Sequence, residues 1–314
     1  MAGLDRTDRI RGCAVGAAIG DALGMPLEFH PPRPSDHQVV DMIAGRLPAG
    51  TFTDDTEMAL ALADSLLFKK PLVGQDLAER WTDWYRSSPP DIGIQTRLVL
   101  GWINEGLDWE TASQRLYRTK PQNAGNGSLM RCWPVALAWA DDPSMLVTDT
   151  VLQSKITHPH PDCISACVML NSMIAMLVQG ADRQEAFEDA MKLARLSLDF
   201  DLLLRHAFGR KRQELQNSGW VRHTLETAVW AFLSTDSFED ALVSAANLGN
   251  DADTGAAVTG ALAGAYYGLA AIPPQWRKAL RGEWPSSSGV VWSEKEFIQT
   301  ADRLAGLIIG ENLD

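Results

Sequence analysis

A chain of 314 residues with 46% apolar side chains can form one large helical domain or two average ones. A formal charge of −12 argues against broad binding to nucleic acid or an anionic membrane, which need a positive surface, but leaves room for a small phosphate site. The cysteines Cys13, Cys132, Cys163 and Cys167 form no C-x-x-C or zinc pattern, and charges from Asp5 to Arg11 interrupt any signal-peptide-like apolar run, so a cytoplasmic location is expected.

The first predicted helix spans Thr7 to Leu23, with Ile10, Ala14, Ala17 and Ala18 to pack and Gly12, Gly16 and Gly20 on a close-approach face. Gly24 and Pro26 end it and leave Glu28 just beyond. Residues Pro31 to Gly50 read as a long surface loop with a short strand at Val39 to Ile43. Thr53, Asp54, Asp55 and Thr56 then open a helix in which Met58, Leu62 and Leu66 recur at helical spacing. Capping and the helix dipole account for one such carboxylate, but not for two flanked by threonines.

Trp81, Trp84 and Tyr85 lie on a further helix, ended by Ser87-Ser88-Pro89-Pro90. Asp91 precedes the next, which carries Leu98 and Trp102, and capping is its default role. Pro121 to Ser128 is a small-residue loop leading into Leu129-Met130-Arg131. Such a loop brings backbone N–H groups to a phosphate when a helix N-terminus stands behind it, although Asn-Gly also marks ordinary turns. It is neither a Walker A loop nor G-x-G-x-x-G. Thr157 to Asp162 opens a helix through Ala166, Leu170 and Ile174; His158 and His160 read equally as a metal pair or as turn and cap. Ala181 to Leu204 is expected to be helical, Arg205 to Gln213 a solvated basic run, and Ser218 to Leu225 the start of another helix. Past Pro274, Trp284 to Gly289 reads as a loop and Lys295 to Ile309 as a closing helix.

Between these lies Asn247 to Gly268. Asp251, Asp253 and Thr254 open an uncharged Ala/Gly-rich helix with Gly260, Gly264 and Gly268 on one face. Glycine costs about 1 kcal/mol against alanine inside a helix, so this row implies a neighbouring backbone at close range. The run approaches membrane-span length, but its acidic head and Pro273-Pro274 tail favour a buried helix in a soluble protein.

Both acidic clusters combine hard oxygens with hydroxyls and lack thiols, the ligand chemistry of Mg²⁺ or Mn²⁺. Six ligands exceed the usual protein share of one such ion, so a pair about 3.5–4 Å apart is expected. Gly20-Asp21-Ala22-Leu23-Gly24 with Glu28, Phe52 to Thr56, Asp91-Ile92-Gly93, Gly125 to Arg131, Thr157-His158, Ser218 to Val221 and Asn250 to Gly255 together resemble the ADP-ribosylglycohydrolases, over nearly the whole chain. The resemblance implies an all-α orthogonal bundle, a single domain over 1–314, with a binuclear magnesium or manganese centre in a central cleft. It places the metal ligands on Thr53, Asp54, Asp55, Asp251, Asp253 and Thr254, and ADP-ribose contacts on Gly125, Asn126, Gly127, Ser128 and His158. Catalytic acidic residues fall on Glu28 and Asp91, with Asp55 and Asp251 taking part.

The implied chemistry is hydrolysis at the anomeric carbon of the distal ribose, with an ADP-ribosylated protein or small molecule as substrate and ADP-ribose as product. The metals would grip ribose hydroxyls and acidify a water, while Glu28 or Asp91 offsets positive charge or moves protons. Arginine is the favoured linkage; serine, nucleobase and O-acetyl linkages are the alternatives. Neither nucleic acid nor membrane insertion is expected. Two rivals stand beside this reading. One is Mg²⁺-dependent diphosphate chemistry of the isoprenoid-synthase kind, disfavoured because Met58 and Ala59 occupy the turn where that fold has a further acid. The other is a catalytically idle, crystallin-like relative, disfavoured by the intact ligand set.

Overall fold

The structure, a computed structural model, describes residues 5–307 and is built almost wholly of helices. In chain order these are α1 (Arg6–Gly24), α2 (Asp54–Phe68), α3 (Gly74–Arg86), α4 (Ile94–Asn104) and α5 (Trp109–Thr119). There follow α6 (Trp133–Ala138), α7 (Pro143–Thr157), α8 (Pro161–Val178), α9 (Arg183–Leu193) and α10 (Leu198–Ala207). The last five are α11 (Val221–Ser234), α12 (Phe238–Ala246), α13 (Ala252–Tyr267), α14 (Pro274–Ala279) and α15 (Glu294–Leu304). A two-stranded antiparallel ribbon, β1 (Gly282–Glu283) and β2 (Val291–Trp292), pairs Gly282 with Trp292.

The two glycine rows meet each other. A Cβ on Gly16 would lie 2.4 Å from the Gly260 carbonyl oxygen, and one on Gly260 would lie 2.0 Å from that of Gly16. The same holds one turn away between Gly12 and Gly264, and at the other end Gly24 lies against Ala252 and Asp253. Helices α1 and α13 therefore run antiparallel, nearly backbone to backbone. The C-terminal end of α1, with Asp21, is brought to the N-terminal end of α13, with Asp251 and Asp253.

Helix α13 is buried on nearly every face, as an Ala/Gly helix without charges beyond its first turn should be. One core cluster extends from Ile10 to Leu304, and a small second one, Val99, Ala112 and Leu116, lies between α4 and α5. Among the described residues, α8 alone is long and apolar enough to cross a membrane, but 78% of that stretch is buried inside the protein.

Several local expectations change. Val39 to Ile43 is loop rather than strand, because the Val39 N–H and carbonyl pair with the side-chain amide of Asn247 at 2.8 Å each. The expected helix at 181–204 divides into α9 and α10, with Arg195 at φ +50° and Ser197 extended between them. Residues 127–131 form turns, so the helix following the Gly-Asn loop begins only at Trp133. The closing helix ends at Leu304, and its expected end at Ile309 lies outside the described residues.

Candidate active site

A cleft of about 1040 Å³ opens where α2, α4, α7, α11 and α13 begin or end. That volume suits a ligand the size of a dinucleotide. One end is lined by six carboxylates, Glu28, Asp54, Asp55, Asp91, Asp251 and Asp253. The other is lined by Gly125, Asn126, Gly127, His158, Gly219 and Trp220, and Lys120 also lines the cleft. Phe29, Ile94 and Trp220 stand exposed at the mouth.

The acidic end is assembled by two helix N-termini. Thr53 and Asp251 are the N-cap residues of α2 and α13, yet neither side chain makes a capping hydrogen bond. Ordinary capping is thereby excluded for both. Thr254 Oγ1 donates to Asp55 Oδ2 at 3.4 Å, which ties one cluster to the other. Asn126 Nδ2 donates to Asp251 Oδ2 at 2.7 Å and to Thr224 Oγ1 at 2.8 Å. Carboxylate oxygens of Glu28, Asp91 and Asp253 lie within 4.8 Å of one another.

Burial, reinforced by the neighbouring carboxylates, raises Asp54, Asp55 and Asp253 well above the usual carboxylate range. Burial also raises Asp251, and pushes Glu28 up to about 7. Such a cluster holds its charge only if cations or hydrogen bonds offset it, because each desolvated ion costs several kcal/mol. Arg46 supplies part of the offset, with its guanidinium 2.7 Å from Glu28, 2.5 Å from Asp91 and 3.5 Å from Asp253. Asp55 Oδ1 is buried without a hydrogen-bond partner among the described residues. Unpartnered carboxylate oxygen, adjacent hydroxyls and the absence of thiols are a donor set suited to hard divalent cations. These residues have the chemistry to hold hard divalent cations, although the carboxylate group that converges within 4.8 Å, Glu28, Asp91 and Asp253, shares only Asp253 with the ligands expected from the sequence.

The remaining candidates divide. His158 is 2% exposed and lines the cleft, whereas His160 caps α8 by accepting from the Asp162 N–H at 3.1 Å; the two do not form a metal pair. Asp91 lines the cleft and caps nothing, since Gly93 is the N-cap of α4. Gly125 and Gly127 present backbone to the cleft. Asn126 gives its N–H to the Gly219 carbonyl at 3.1 Å and its side-chain amide to Asp251, so it orients a carboxylate rather than offering donors to a ligand. The Ser128 hydroxyl is turned into the core, accepting from Ser154 Oγ at 2.9 Å, and the residue is fully buried and does not line the cleft.

Sequence reasoning gave no role to three residues, although Asp21 stood in one of the motifs. Asp21, fully buried, accepts from the N–H and hydroxyl of Thr53 at 2.9 and 2.8 Å, and from those of Thr56 at 3.2 and 2.6 Å. It fixes the start of α2; a lone carboxylate inside the apolar run Ala14–Leu27 was the signal for it. Asn217, also fully buried, donates to the Gly249 carbonyl at 2.7 Å and accepts the Asp251 N–H through its own carbonyl at 3.0 Å. Arg46 had no signal, being one arginine in a Pro/Gly-rich loop.

An acidic pocket with the chemistry to hold hard cations lies beside a glycine loop in one cleft. The ADP-ribosylglycohydrolase family model matches residues 2–313. "ADP-ribosylarginine hydrolase Tri1" of Pseudomonas putida (strain GB-1) is 37% identical over 280 residues, covering 86% of this chain and 73% of that protein. "ADP-ribosyl-[dinitrogen reductase] glycohydrolase" of Rhodospirillum rubrum is 35% identical, covering 89% of this chain and 92% of that protein. A solved "ADP-ribosylglycohydrolase-related protein complex" superposes with a TM-score of 0.82 at 33% identity, covering 96% of this chain and 99% of that one. The chain belongs to the ADP-ribosylglycohydrolase family and is a hydrolase of ADP-ribose linkages.

Proposed function

We propose that the cleft releases ADP-ribose from ADP-ribosylated arginine on a protein, using two Mg²⁺ or Mn²⁺ ions held by Thr53, Asp54, Asp55, Asp251, Asp253 and Thr254. The observation that carries the metal reading is the buried, unpartnered Asp55 Oδ1 within a carboxylate cluster that a single arginine offsets only in part. The arginine linkage is supported by the similarity to a protein named ADP-ribosylarginine hydrolase, at 37% identity.

When bound, the ions supply Lewis acidity that orients vicinal ribose hydroxyls and acidifies water. The chain supplies the rest. Asp21 holds Thr53 and Thr56, and Asn126 holds Asp251, so the ligand oxygens are set before substrate arrives. The Gly127 N–H has no acceptor among the described residues and is free to donate to a diphosphate. During hydrolysis the bond between the anomeric carbon and the guanidine nitrogen breaks, water adds its hydroxyl to the carbon, and the nitrogen leaves with a proton. The carboxylates of Glu28 and Asp91 offset the positive charge that develops on the sugar. Glu28, pushed up to about 7, can hold or give up a proton near neutral pH.

A panel of arginine-, serine-, nucleobase- and O-acetyl-linked ADP-ribose, read as free ADP-ribose, tests the linkage. Release from the arginine substrate well above the others is expected. Release confined to serine or O-acetyl substrates would replace the arginine assignment.

A further inference from the structure

Among the described residues Arg131 is the largest charged side chain wholly inside the protein, at 0% exposure, and pairs with no carboxylate. It stacks 3.6 Å from the Trp81 ring centroid and donates to the Gln153 side chain and carbonyl at 3.3 and 3.2 Å, to Met58 Sδ at 3.5 Å and to Thr157 Oγ1 at 2.8 Å. A guanidinium has donors only, so the Thr157 oxygen must accept there. The single Thr157 hydroxyl proton then needs an acceptor, and its other partner is His158 Nδ1, at 2.8 Å. A proton on Nδ1 would aim a second donor at the Thr157 oxygen and leave the hydroxyl proton buried without an acceptor. Pairing is complete only when Nδ1 is bare and Nε2 carries the proton.

We propose that Arg131 and Thr157 form a buried relay that sets His158 in the Nε2–H tautomer, making its cleft-facing nitrogen a fixed hydrogen-bond donor for the anionic part of the ligand. The assignment of that ligand as ADP-ribose rests on the function proposed above. The backbone of His158 is held by its N–H donating to the Ser154 carbonyl at 2.7 Å and its carbonyl accepting from Ser154 Oγ at 3.0 Å, and the ring packs closely on Gly127, where a Cβ would lie only 2.9 Å from Cε1. Nε2 has no acceptor among the described residues and faces the Gly125–Gly127 loop of the cleft. Burial and the Arg131 charge hold His158 well below its ordinary value, so the ring carries one proton. The cation also polarises the Thr157 O–H, which draws density from the ring and sharpens Nε2–H as a donor. Arg131 and Thr157 are positioning residues: neither lines the cleft.

The test is ¹⁵N NMR of the His158 ring in the full-length protein without ligand, alongside calorimetry with ADP-ribose. Thr157→Val keeps the shape but removes the hydroxyl, and Thr157→Ser restores it. In the wild type and Thr157→Ser, Nδ1 should be unprotonated and Nε2 protonated. In Thr157→Val the tautomers should mix, and ADP-ribose affinity should fall on the order of tenfold with circular dichroism unchanged. A wild-type ring protonated on Nδ1, or a Thr157→Val ring and affinity like those of wild type, would overturn the relay. Since the tautomer is read without ligand, a correct tautomer in a protein that binds no ADP-ribose would sink the functional assignment while leaving the relay standing.

Discussion

Gly260 sits where α13 meets α1, and a methyl group there has no room. A Cβ at this position would lie 2.0 Å from the Gly16 carbonyl oxygen, where real Cβ contacts do not fall below 3.0 Å. The helices must therefore part by about 1 Å, the difference between those two values. Overpacking of this kind costs about 1–3 kcal/mol, and alanine returns roughly 1 kcal/mol of helix propensity. Gly260→Ala should thus lose up to about 2 kcal/mol net. Gly101, inside α4, is the control: a Cβ there meets only Tyr85 Oη at 3.6 Å, an ordinary contact. Gly101→Ala should gain about 0.5–1 kcal/mol. Urea denaturation of both variants at unchanged m-value reads the difference. If Gly260→Ala matches or exceeds wild-type stability, close helix approach is not what requires glycine there. Because α1 ends against Asp253 at Gly24, the Gly260 variant should also lose more activity than its folded fraction explains.

Three further outcomes follow from the site. Asp251→Asn and Asp55→Asn should each abolish turnover while leaving the circular dichroism spectrum intact; near-native turnover at micromolar Mn²⁺ would remove them from the ligand set. Glu28→Gln should lower kcat about 10²–10⁴-fold with little change in ADP-ribose affinity by calorimetry, and unchanged kcat would exclude a proton-transfer role. Metal-stripped protein should grow less stable from pH 5 to 8. Burial raises Asp21 to about 6 and Glu28 to about 7, so the folded state binds more protons than the unfolded one, and that stability is lost as pH rises through these values. Added Mg²⁺ or Mn²⁺ should accordingly raise Tm more at pH 8 than at pH 6, where protons compete for the same oxygens. A metal-induced rise that is larger at pH 6 would contradict this.

What the sequence made legible was the part written in short local patterns. The four-residue glycine spacing foretold a close backbone contact, and the partner proved to be the other glycine row, Gly12 to Gly24. Paired carboxylates beside threonines marked Asp54, Asp55, Asp251 and Asp253, since a cap uses one acid. What was not legible depended on contacts between distant segments. Val39 to Ile43 has a strand-like sequence, but Asn247, over two hundred residues away, takes its backbone hydrogen bonds. Ser128 shares a loop with Gly125 and Gly127, yet its hydroxyl turns inward to Ser154, and no local rule separates the two directions. Arg46 lies in a loop without periodicity, and only the converging positions of Glu28, Asp91 and Asp253 give it meaning.

The most direct test of the account is release of ADP-ribose from an arginine-ADP-ribosylated protein by enzyme stripped of metal. The buried carboxylates and the unpartnered Asp55 oxygen predict no release after EDTA treatment, restoration by Mg²⁺ or Mn²⁺, and poor restoration by Zn²⁺. Undiminished release from the stripped enzyme would contradict the assignment of the acidic cluster as a cation site.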